Sequence, residues 1–350
     1  MKKILLVIGD PMMTDTRFEP SLNRFMTYKH KLNKRGIGVI FITYDDVVLK
    51  RLPNISTKRL DVMLFFPYNY WNDEIEIYGK DARVYGDATF GKDYTDYMLK
   101  IDKIIKRRYR DKNLSFVNPP SACVIDRDKK ETFLALTKNK IETPKIYNVK
   151  KISDIDKLIN NGSTIYIKPR FGAMGKGITY VNAKGVYTNF FYKNSKIVNR
   201  LYDYNWRPVK IAVKSKNAFL KLLLNVGFIF QEAINTPIVR DRKFDIRVYV
   251  AYGRVPYFYA KSAPCKSFIT NWSQGGRIEK RAFLDRALSK SEIAKVKSVA
   301  KKAAKVIDLK FAGVDVIIDR DTKKTYVLEI QSFPGYERGF HLMELLAKII

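Results

Sequence analysis

A glycine-rich segment near the middle of the chain is the first candidate for chemistry. Residues 168–177 read KPRFGAMGKG and lie between two predicted β-strands. Gly172, Gly175 and Gly177 allow the backbone to approach a ligand closely, and their amide groups can point at phosphate oxygens. The segment lacks the GK[ST]-helix order of a Walker loop and the strand-turn-helix order of a dinucleotide fingerprint. By itself it fits a phosphate-binding loop and a surface hairpin equally well.

Two carboxylates and an amide form the second candidate. Asp315 lies at the start of one predicted strand, and Glu329 and Gln331 lie at the end of the next, with a short polar loop between. If these strands pair in antiparallel fashion, the three side chains meet, because strand residues two apart share a face. Such oxygen ligands suit Mg²⁺, with phosphates and waters completing its shell. The alternative is two solvated carboxylates at strand ends, which their apolar flanks disfavour.

The net charge of the chain limits the classes of partner that it is expected to bind. Of 350 residues, 66 are Lys or Arg and 35 are Asp or Glu, which gives a net charge of +31 at neutral pH. This excess attracts nucleic acid, anionic membrane surfaces, phosphorylated ligands or acidic proteins. Residues 193–221 combine basic side chains with Tyr202, Tyr204 and Trp206, whereas the basic stretch at 289–306 is interpreted as an ordinary amphipathic helix.

Cysteine and histidine are scarce. Cys123 and Cys265 lie far apart without CxxC spacing, which disfavours a disulfide framework or a zinc site. His30 and His341 are the only histidines, so a histidine metal cluster and Ser-His or Cys-His catalysis are disfavoured as well. The apolar run at 4–8 is shorter than a signal-peptide core, and no run reaches about 18 apolar residues, so we expect a soluble, cytoplasmic protein without a membrane partner.

In the first third of the chain, predicted strands alternate with predicted helices, which indicates a parallel α/β layer. The double proline at 119–120 is predicted to end it. The predicted strands are 3–9, 38–43, 61–66, 114–117, 165–168, 178–181, 228–231, 245–252, 255–261, 313–318 and 325–330. The predicted helices are 20–35, 88–110, 127–139, 289–306 and one at the C-terminus.

From about Asp126 to Phe340, the order of the motifs resembles the ATP-grasp superfamily, in particular carboxylate–amine ligases such as glutathione synthetase and the ribosomal-protein glutamate ligases. The resemblance implies an α/β fold class, an ATP-grasp fold preceded by a parallel α/β domain. It implies an N-terminal domain at 1–119, a small subdomain with the glycine-rich lid at 120–230, and a C-terminal subdomain with the metal and substrate site at 231–350.

The resemblance also implies a set of nucleotide-binding residues. The segment 127–129 resembles the one that supplies the first nucleotide lysine, and Lys168 resembles the second, which lies against the α- and β-phosphates. The segment 230–234, FQEAI, is similar to the hinge that holds adenine. The implied nucleotide-binding residues are Lys129, Lys168, Gly172, Gly175, Lys176, Gly177, Gln231, Glu232 and Ile234.

Catalytic and metal residues are implied in the same way. Arg247 lies in a DIR segment and would face the transferred phosphate and the substrate carboxylate, and Lys261 stands where the family usually has an arginine. Asn271 belongs to a loop that resembles the TN…GG loop. The implied metal ligands are Asp315, Glu329 and Gln331, which is one methylene longer than the family's usual Asn. One metal is therefore expected to be held less closely or through water.

The activity that the resemblance implies is the ATP-dependent joining of a carboxylate to an amine through an acyl phosphate, with release of ADP and phosphate. The expected cofactors are ATP and Mg²⁺, with Mn²⁺ as a substitute. The basic charge favours an acidic peptide or carrier protein as the partner. Lys210, Lys214 and Lys216, which lie between the glycine-rich segment and the 228–231 strand, are expected beside the cleft.

Two other functions stay open. The segment 332–337, SFPGYE, resembles the inositol polyphosphate kinases of the same superfamily, although the DIR segment and the TN…GG loop favour a ligase. The third hypothesis is a degenerate scaffold that binds nucleic acid through the basic and aromatic residues of 193–221. The intact carboxylates at Asp315 and Glu329 argue against this degeneracy.

Overall fold

The N-terminal part of the chain is the predicted parallel α/β layer. The computed structural model describes residues 3–10, 29–76, 83–198, 208–271 and 275–335. The first four strands are β1 (Lys3–Ile8), β2 (Ile37–Ile42), β3 (Arg59–Leu64) and β4 (Asn113–Phe116). They form one sheet in the order β2-β1-β3-β4, and each neighbouring pair is parallel. Leu5, Leu6 and Val7 are fully buried, as is typical of a strand covered on both faces.

Helices pack against this sheet. They are α1 (Lys29–Lys34), α2 (Tyr44–Val48), a short helical segment at 68–75, and α3 (Ala88–Arg108). Asp87 begins α3 by accepting hydrogen bonds from the backbone amides of Thr89 and Phe90. The apolar residues of α3 recur at helical spacing and are buried. They are Phe90, Tyr94, Tyr97, Met98, Ile101 and Ile105.

The helix expected at 127–139 is confirmed, but a second helix lies directly before it and was not predicted. The unpredicted helix is α4 (Pro120–Arg127), and the predicted one is α5 (Lys129–Lys138). Asp128 separates them because its backbone is extended, with φ −91° and ψ 98°. Its carboxylate accepts hydrogen bonds from the backbone amides of Lys130 and Glu131, so it ends one helix and caps the next.

The middle of the chain forms an antiparallel sheet of six strands. Its strands are β5 (Ile146–Tyr147), β6 (Ile165–Lys168), β7 (Thr179–Asn182), β8 (Gly185–Thr188), β11 (Val209–Lys210) and β12 (Ile229–Glu232), in the order β11-β8-β7-β6-β12-β5. Two helices, α6 (Ile152–Asn160) and α7 (Lys216–Asn225), cover one face of this middle sheet, where Ile165, Ile167 and Val181 are buried. A hairpin of β9 (Phe191–Lys193) and β10 (Lys196–Val198) lies beside it.

The C-terminal sheet is also antiparallel. Its strands are β13 (Ile238–Val239), β14 (Arg242–Ala251), β15 (Arg254–Pro264), β16 (Arg277–Ile278), β17 (Phe311–Ile318) and β18 (Thr325–Gln331), in the order β16-β15-β14-β17-β18, with β13 on β14. Two helices accompany it, α8 (Arg281–Ala287) and α9 (Lys290–Val306). The expected amphipathic helix is confirmed, because Val296, Ala300 and Ala303 of α9 are buried in one core with Val248 and Val314.

Several expectations lie outside the described residues. These are the first part of the 20–35 helix, the aromatic residues Tyr202, Tyr204 and Trp206, the Trp272–Gln274 part of the TN…GG loop, and the C-terminal helix. Within the described ranges, no helix combines the length and apolar character needed to cross a membrane.

Candidate active site

A cleft lies between the middle sheet and the C-terminal sheet and holds about 160 Å³ of water-accessible space. Most of the residues singled out from the sequence line it. They are Lys129, Lys168, Gly172, Gly175, Lys176, Gln231, Glu232, Ile234, Lys261, Asn271, Asp315 and Glu329. Gly177, Arg247 and Gln331 do not line it directly: Gly177 packs tightly against Pro169 and Phe190, while the other two contact its carboxylates.

Arg247 is held by a two-point contact with Asp315. The residues pair directly across β14 and β17. The Nε atom of Arg247 lies 2.6 Å from Oδ1 of Asp315, and a terminal nitrogen lies 3.2 Å from Oδ2. Both side chains are buried. A buried, bidentate pair of this kind fixes the position and orientation of both groups.

Lys261 joins Asp315 to a second carboxylate. Its Nζ lies 2.8 Å from Oδ2 of Asp315 and 3.1 Å from Oδ1 of Asp245. Burial alone would raise the pKa of Asp315, but the charges of Arg247 and Lys261 outweigh it and lower that pKa to about 2. Burial alone would lower the pKa of Lys261, but the two carboxylates raise it. Burial raises the pKa of Asp245, and the charge of Lys261 opposes this shift. The two cations and two carboxylates balance in charge only when Asp245 is ionised.

Glu329 faces Asp315 across β17 and β18, as the sequence predicted. The register shifts just beyond this pair, because Val316 pairs with Val327, so Leu328 is the extra residue of a β-bulge. As a result, Leu328 and Glu329 both line the cleft, whereas Val327 and Ile330 are buried in the core. Simple alternation along β18 does not predict this arrangement.

Two side chains hold the Glu329 carboxylate. Nζ of Lys129 lies 3.2 Å from its Oε1, and the Gln331 amide donates to its Oε2 at 3.0 Å. Burial alone would raise the pKa of Glu329, but Lys129 and other nearby cations lower it. Lys129 also donates to the carbonyl oxygen of Gly172, so one ammonium group links the glycine-rich segment to the carboxylate.

Lys168 projects from β6 into the same cleft. Its Nζ donates a hydrogen bond of 2.7 Å to Oε1 of Gln231, which is completely buried. The amide nitrogen of Gln231 is buried and has no hydrogen-bond partner among the residues that the structure describes. Burial lowers the pKa of Lys168 to about 8, and the Glu329 carboxylate opposes this shift. A desolvated ammonium beside an unsatisfied amide is suited to an anionic, polar ligand.

The donor atoms near Glu329 are of the chemical kind that Mg²⁺ prefers. Asp315, Glu329 and the amide oxygen of Gln331 are hard oxygen ligands on directly paired or alternate strand positions. The described residues contain no group of three or more His, Cys, Asp and Glu side chains arranged for a metal. The protein would therefore contribute few ligands, as is common for Mg²⁺ bound together with phosphates.

The sequence did not single out two features of the cleft, Lys243 and the contacts that hold the loop at 268–271. Lys243 lines the cleft, and burial lowers the pKa of this lysine to about 8. The sequence did contain a signal for Lys243: it lies two residues before Asp245, and strand residues two apart point to the same face. The loop at 268–271 closes the cleft: the Tyr166 hydroxyl donates to the Phe268 carbonyl at 2.7 Å, and Thr270 donates to the Asp245 carboxylate. These contacts hold Asn271 at the cleft.

The glycine-rich segment is anchored on both sides. Arg170 makes a bidentate contact with Asp128 at 2.5 and 2.6 Å, and its carbonyl accepts a 3.1 Å hydrogen bond from the Lys129 amide. Gly175 has φ +70°, a conformation that favours glycine. The ammonium of Lys176, expected at the phosphates, instead lies 2.6 Å from Oε1 of Glu76 in the N-terminal layer.

Two antiparallel sheets that enclose a cleft with lysines and paired carboxylates are the arrangement of an ATP-grasp protein. A family model described as YheC/D like ATP-grasp matches residues 122–346. The chain belongs to this family, and the resemblance inferred from its motifs is confirmed.

Individual relatives agree with this membership. The tetrahydromethanopterin:alpha-L-glutamate ligase of Methanocaldococcus jannaschii is 25% identical over 305 residues, which are 86% of this chain and 91% of that protein. A probable alpha-L-glutamate ligase of Shewanella halifaxensis is 27% identical over 235 residues, 67% of this chain but only 42% of that protein.

Solved structures show the same fold. The ATP-grasp ligase PsnB, complexed with a precursor peptide and AMPPNP, matches with a TM-score of 0.55 and 16% identity, over 98% of this chain and 96% of that one. Another complex of PsnB contains a minimal precursor, Mg and ADP, and matches with a TM-score of 0.54 and 15% identity over the same shares. These likenesses confirm the predicted α/β ATP-grasp fold with its N-terminal layer.

Proposed function

We propose that this chain is an ATP-dependent ligase that joins an acidic amino acid, or an acidic peptide, to an amine through an acyl phosphate. The relatives named as glutamate ligases support both the C–N ligase class predicted from the sequence and an acidic substrate. The net charge of +31 supports an acidic partner as well. The inositol kinase and nucleic-acid alternatives gain no comparable support.

The charge cluster of the cleft is the observation that carries the proposal. Lys129, Lys168, Lys261 and Arg247 converge with Asp315 and Glu329 along two facing sheets. A carboxylate is a poor electrophile until ATP phosphorylates its oxygen, which then becomes a leaving group for an attacking amine. Phosphoryl transfer depends mainly on positioning and charge neutralisation, which this cluster can supply without histidine.

The roles within the cluster follow from position. Lys129 and Lys168, beside the glycine-rich segment, bind the phosphates of ATP, while Gln231, Glu232 and Ile234 hold the base. Arg247, Lys261 and Asn271 orient the reacting carboxylate and neutralise its acyl phosphate. Asp315, Glu329 and Gln331 hold Mg²⁺, which neutralises phosphate charge when bound. These assignments, and the cofactors ATP and Mg²⁺, are part of the proposal.

The three-part division at 1–119, 120–230 and 231–350 is also proposed. The N-terminal parallel sheet ends at Phe116, before the double proline. The second boundary falls inside β12, whose residues Gln231 and Glu232 still pair with β6. We therefore propose that the hinge between the two ATP-grasp subdomains begins after Glu232.

The acyl phosphate provides the direct test of the function. Hydroxylamine added with MgATP and a panel of acidic amino acids and peptides is expected to yield a hydroxamate with the true substrate, since it attacks the activated carbonyl in place of the amine. The hydroxamate is measured by its iron complex and ADP by coupled assay. A phosphorylated alcohol from an inositol phosphate panel, without hydroxamate, would establish a kinase instead.

None of the three lysines expected beside the cleft is among the residues that line it, and Lys214 is exposed in the segment before α7. Lys210 lies on β11 with its Nζ 5.7 Å from the centre of the Tyr187 ring, which lies 6.3 Å from the ring of Phe268 at the cleft. Lys216 instead bonds Asp156 of α6 at 2.9 Å, on the face of the sheet that the helices cover. The expectation for Lys216 was wrong, because the chain passes around the edge of the sheet between Lys210 and Lys216 and so brings Lys216 to the helix-covered face.

These two lysines make a matched pair for testing an acidic substrate. Lys210→Glu is expected to raise the KM for the acidic peptide found in the hydroxamate screen severalfold, while Lys216→Glu leaves it unchanged. The difference should shrink in high salt, because the screening length falls from about 8 Å at physiological ionic strength to about 3 Å at 1 M. Equal KM values in both variants would mean that the charge on this edge does not recruit substrate.

A further inference from the structure

Glu76, in the N-terminal layer, uses both of its carboxylate oxygens in buried contacts. Oε1 lies 2.6 Å from Nζ of Lys176, and Oε2 accepts a 2.7 Å hydrogen bond from the indole nitrogen of Trp71. The side chains of Glu76 and Lys176 are only 9% and 4% exposed. A buried ion pair offsets its desolvation only when its geometry is good, and losing one partner leaves a costly charge. The pair therefore ties Lys176 firmly to the N-terminal layer.

Further contacts join the glycine-rich segment to the same layer. The hydroxyl of Tyr85 accepts a 3.0 Å hydrogen bond from the Ala173 amide. The Phe171 amide donates to the Gly86 carbonyl at 3.2 Å. Gly86 has φ +76°, and a Cβ there would lie 2.5 Å from Cβ of Pro169. The backbones thus approach too closely for any side chain at this position, and the N-terminal layer backs the segment along its length.

The opposite side of the segment faces the cleft. Gly172, Ala173 and Gly175 line the cleft, and Lys129 donates to the Gly172 carbonyl. Because Lys176 lies between these cleft-lining residues and Glu76, a shift of its ammonium moves the backbone amides that are proposed to meet the phosphates. The charged contact between Glu76 and Lys176 thereby links the N-terminal layer to the proposed nucleotide site.

We propose that Glu76 is a positioning residue for the nucleotide: it holds the glycine-rich segment in its phosphate-binding position through Lys176. This inference rests on the proposed function, since it requires the cleft to bind ATP. It makes the N-terminal layer part of the nucleotide site, although no residue of that layer was implicated by the sequence.

The test measures binding of AMPPNP with Mg²⁺ by calorimetry to the full chain. Glu76→Gln keeps a polar group for Trp71 but removes the carboxylate charge that faces the Lys176 ammonium, and it is expected to raise the Kd about tenfold. Glu74→Gln removes a carboxylate from an exposed position two residues earlier and is expected to change nothing. Lys176→Gln breaks the same contact from its other side, so the double variant Glu76→Gln with Lys176→Gln is expected to bind no more weakly than the weaker of the two single variants.

The other possible outcomes distinguish a failure of this inference from a failure of the proposed function. If wild-type protein binds AMPPNP and Lys168→Ala weakens binding, but Glu76→Gln binds like wild type, the inference is overturned while the proposed function stands. A lower melting temperature of Glu76→Gln with an unchanged Kd would show a purely structural role, and losses of affinity that add up in the double variant would exclude the route through Lys176. Absence of binding to wild-type protein would overturn the proposed function itself.

Discussion

Lys168→Ala and Glu329→Ala are each expected to lower ATP turnover by a factor on the order of 10²–10³ while the protein stays folded. Lys168 brings positive charge to a desolvated part of the cleft, where such charge acts most strongly on a developing anion. Glu329 orients Lys129 through the 3.2 Å contact and is a proposed metal ligand. Neither side chain belongs to a hydrophobic core cluster, so truncation removes electrostatics and not packing.

Turnover is measured as substrate-dependent release of phosphate, with far-UV circular dichroism and melting temperature as checks on folding. The matched controls are Lys184→Ala, an exposed lysine of the turn between β7 and β8, and Asp321→Ala, an exposed carboxylate of the turn between β17 and β18. Both controls should retain wild-type turnover. Wild-type turnover in a folded Lys168→Ala or Glu329→Ala protein would remove that residue from the site.

Asp315→Asn is expected to lower the free energy of unfolding by about 3–5 kcal/mol, because it leaves Arg247 and Lys261 buried without their shared carboxylate. Urea unfolding followed by fluorescence measures the change. Asp321→Asn is the control, because its ion pair with Arg320 is exposed to solvent and such pairs contribute little to stability.

Asp315→Asn should also change how the free energy of unfolding depends on pH. The folded-state pKa of Asp315 is lowered to about 2, below its unfolded value, so its contribution is present above about pH 4. That contribution is lost as the pH falls from about 4 toward 2. Between about pH 4 and pH 2, the free energy of unfolding of the wild-type protein should therefore fall toward that of Asp315→Asn. An advantage that persists at pH 2 would show that the ionised carboxylate is not its source.

The sequence by itself determined the strands of the site and much of their pairing. Short β-rich runs with a polar turn at 319–322 predicted that β17 and β18 pair, and the register brings Asp315 against Glu329. The glycine-rich segment was correctly placed between two strands. These inferences succeed because they depend on local spacing: a strand repeats every two residues, and a short connection leaves neighbouring strands little choice but to pair.

Other features needed the tertiary structure. The Asp128 carboxylate, which caps α5, also binds Arg170, 42 residues away. The bulge at Leu328 turns two successive residues to the cleft, because the core takes Val327 and Ile330. Local spacing cannot reveal either event, since each is decided by a partner from elsewhere in the chain.

The side of the fold that each lysine side chain faces was also decided by the tertiary structure and not by the sequence alone. A chain with 66 Lys and Arg residues offers many candidate cations, and local spacing indicates only which face of its own element each occupies. Packing decided that Lys243 and Lys210 face the cleft side, that Lys216 meets Asp156 behind the sheet, and that Lys176 meets Glu76. The physical reason is that a buried ammonium must find a carboxylate or polar partner, and the fold determines which one is within reach.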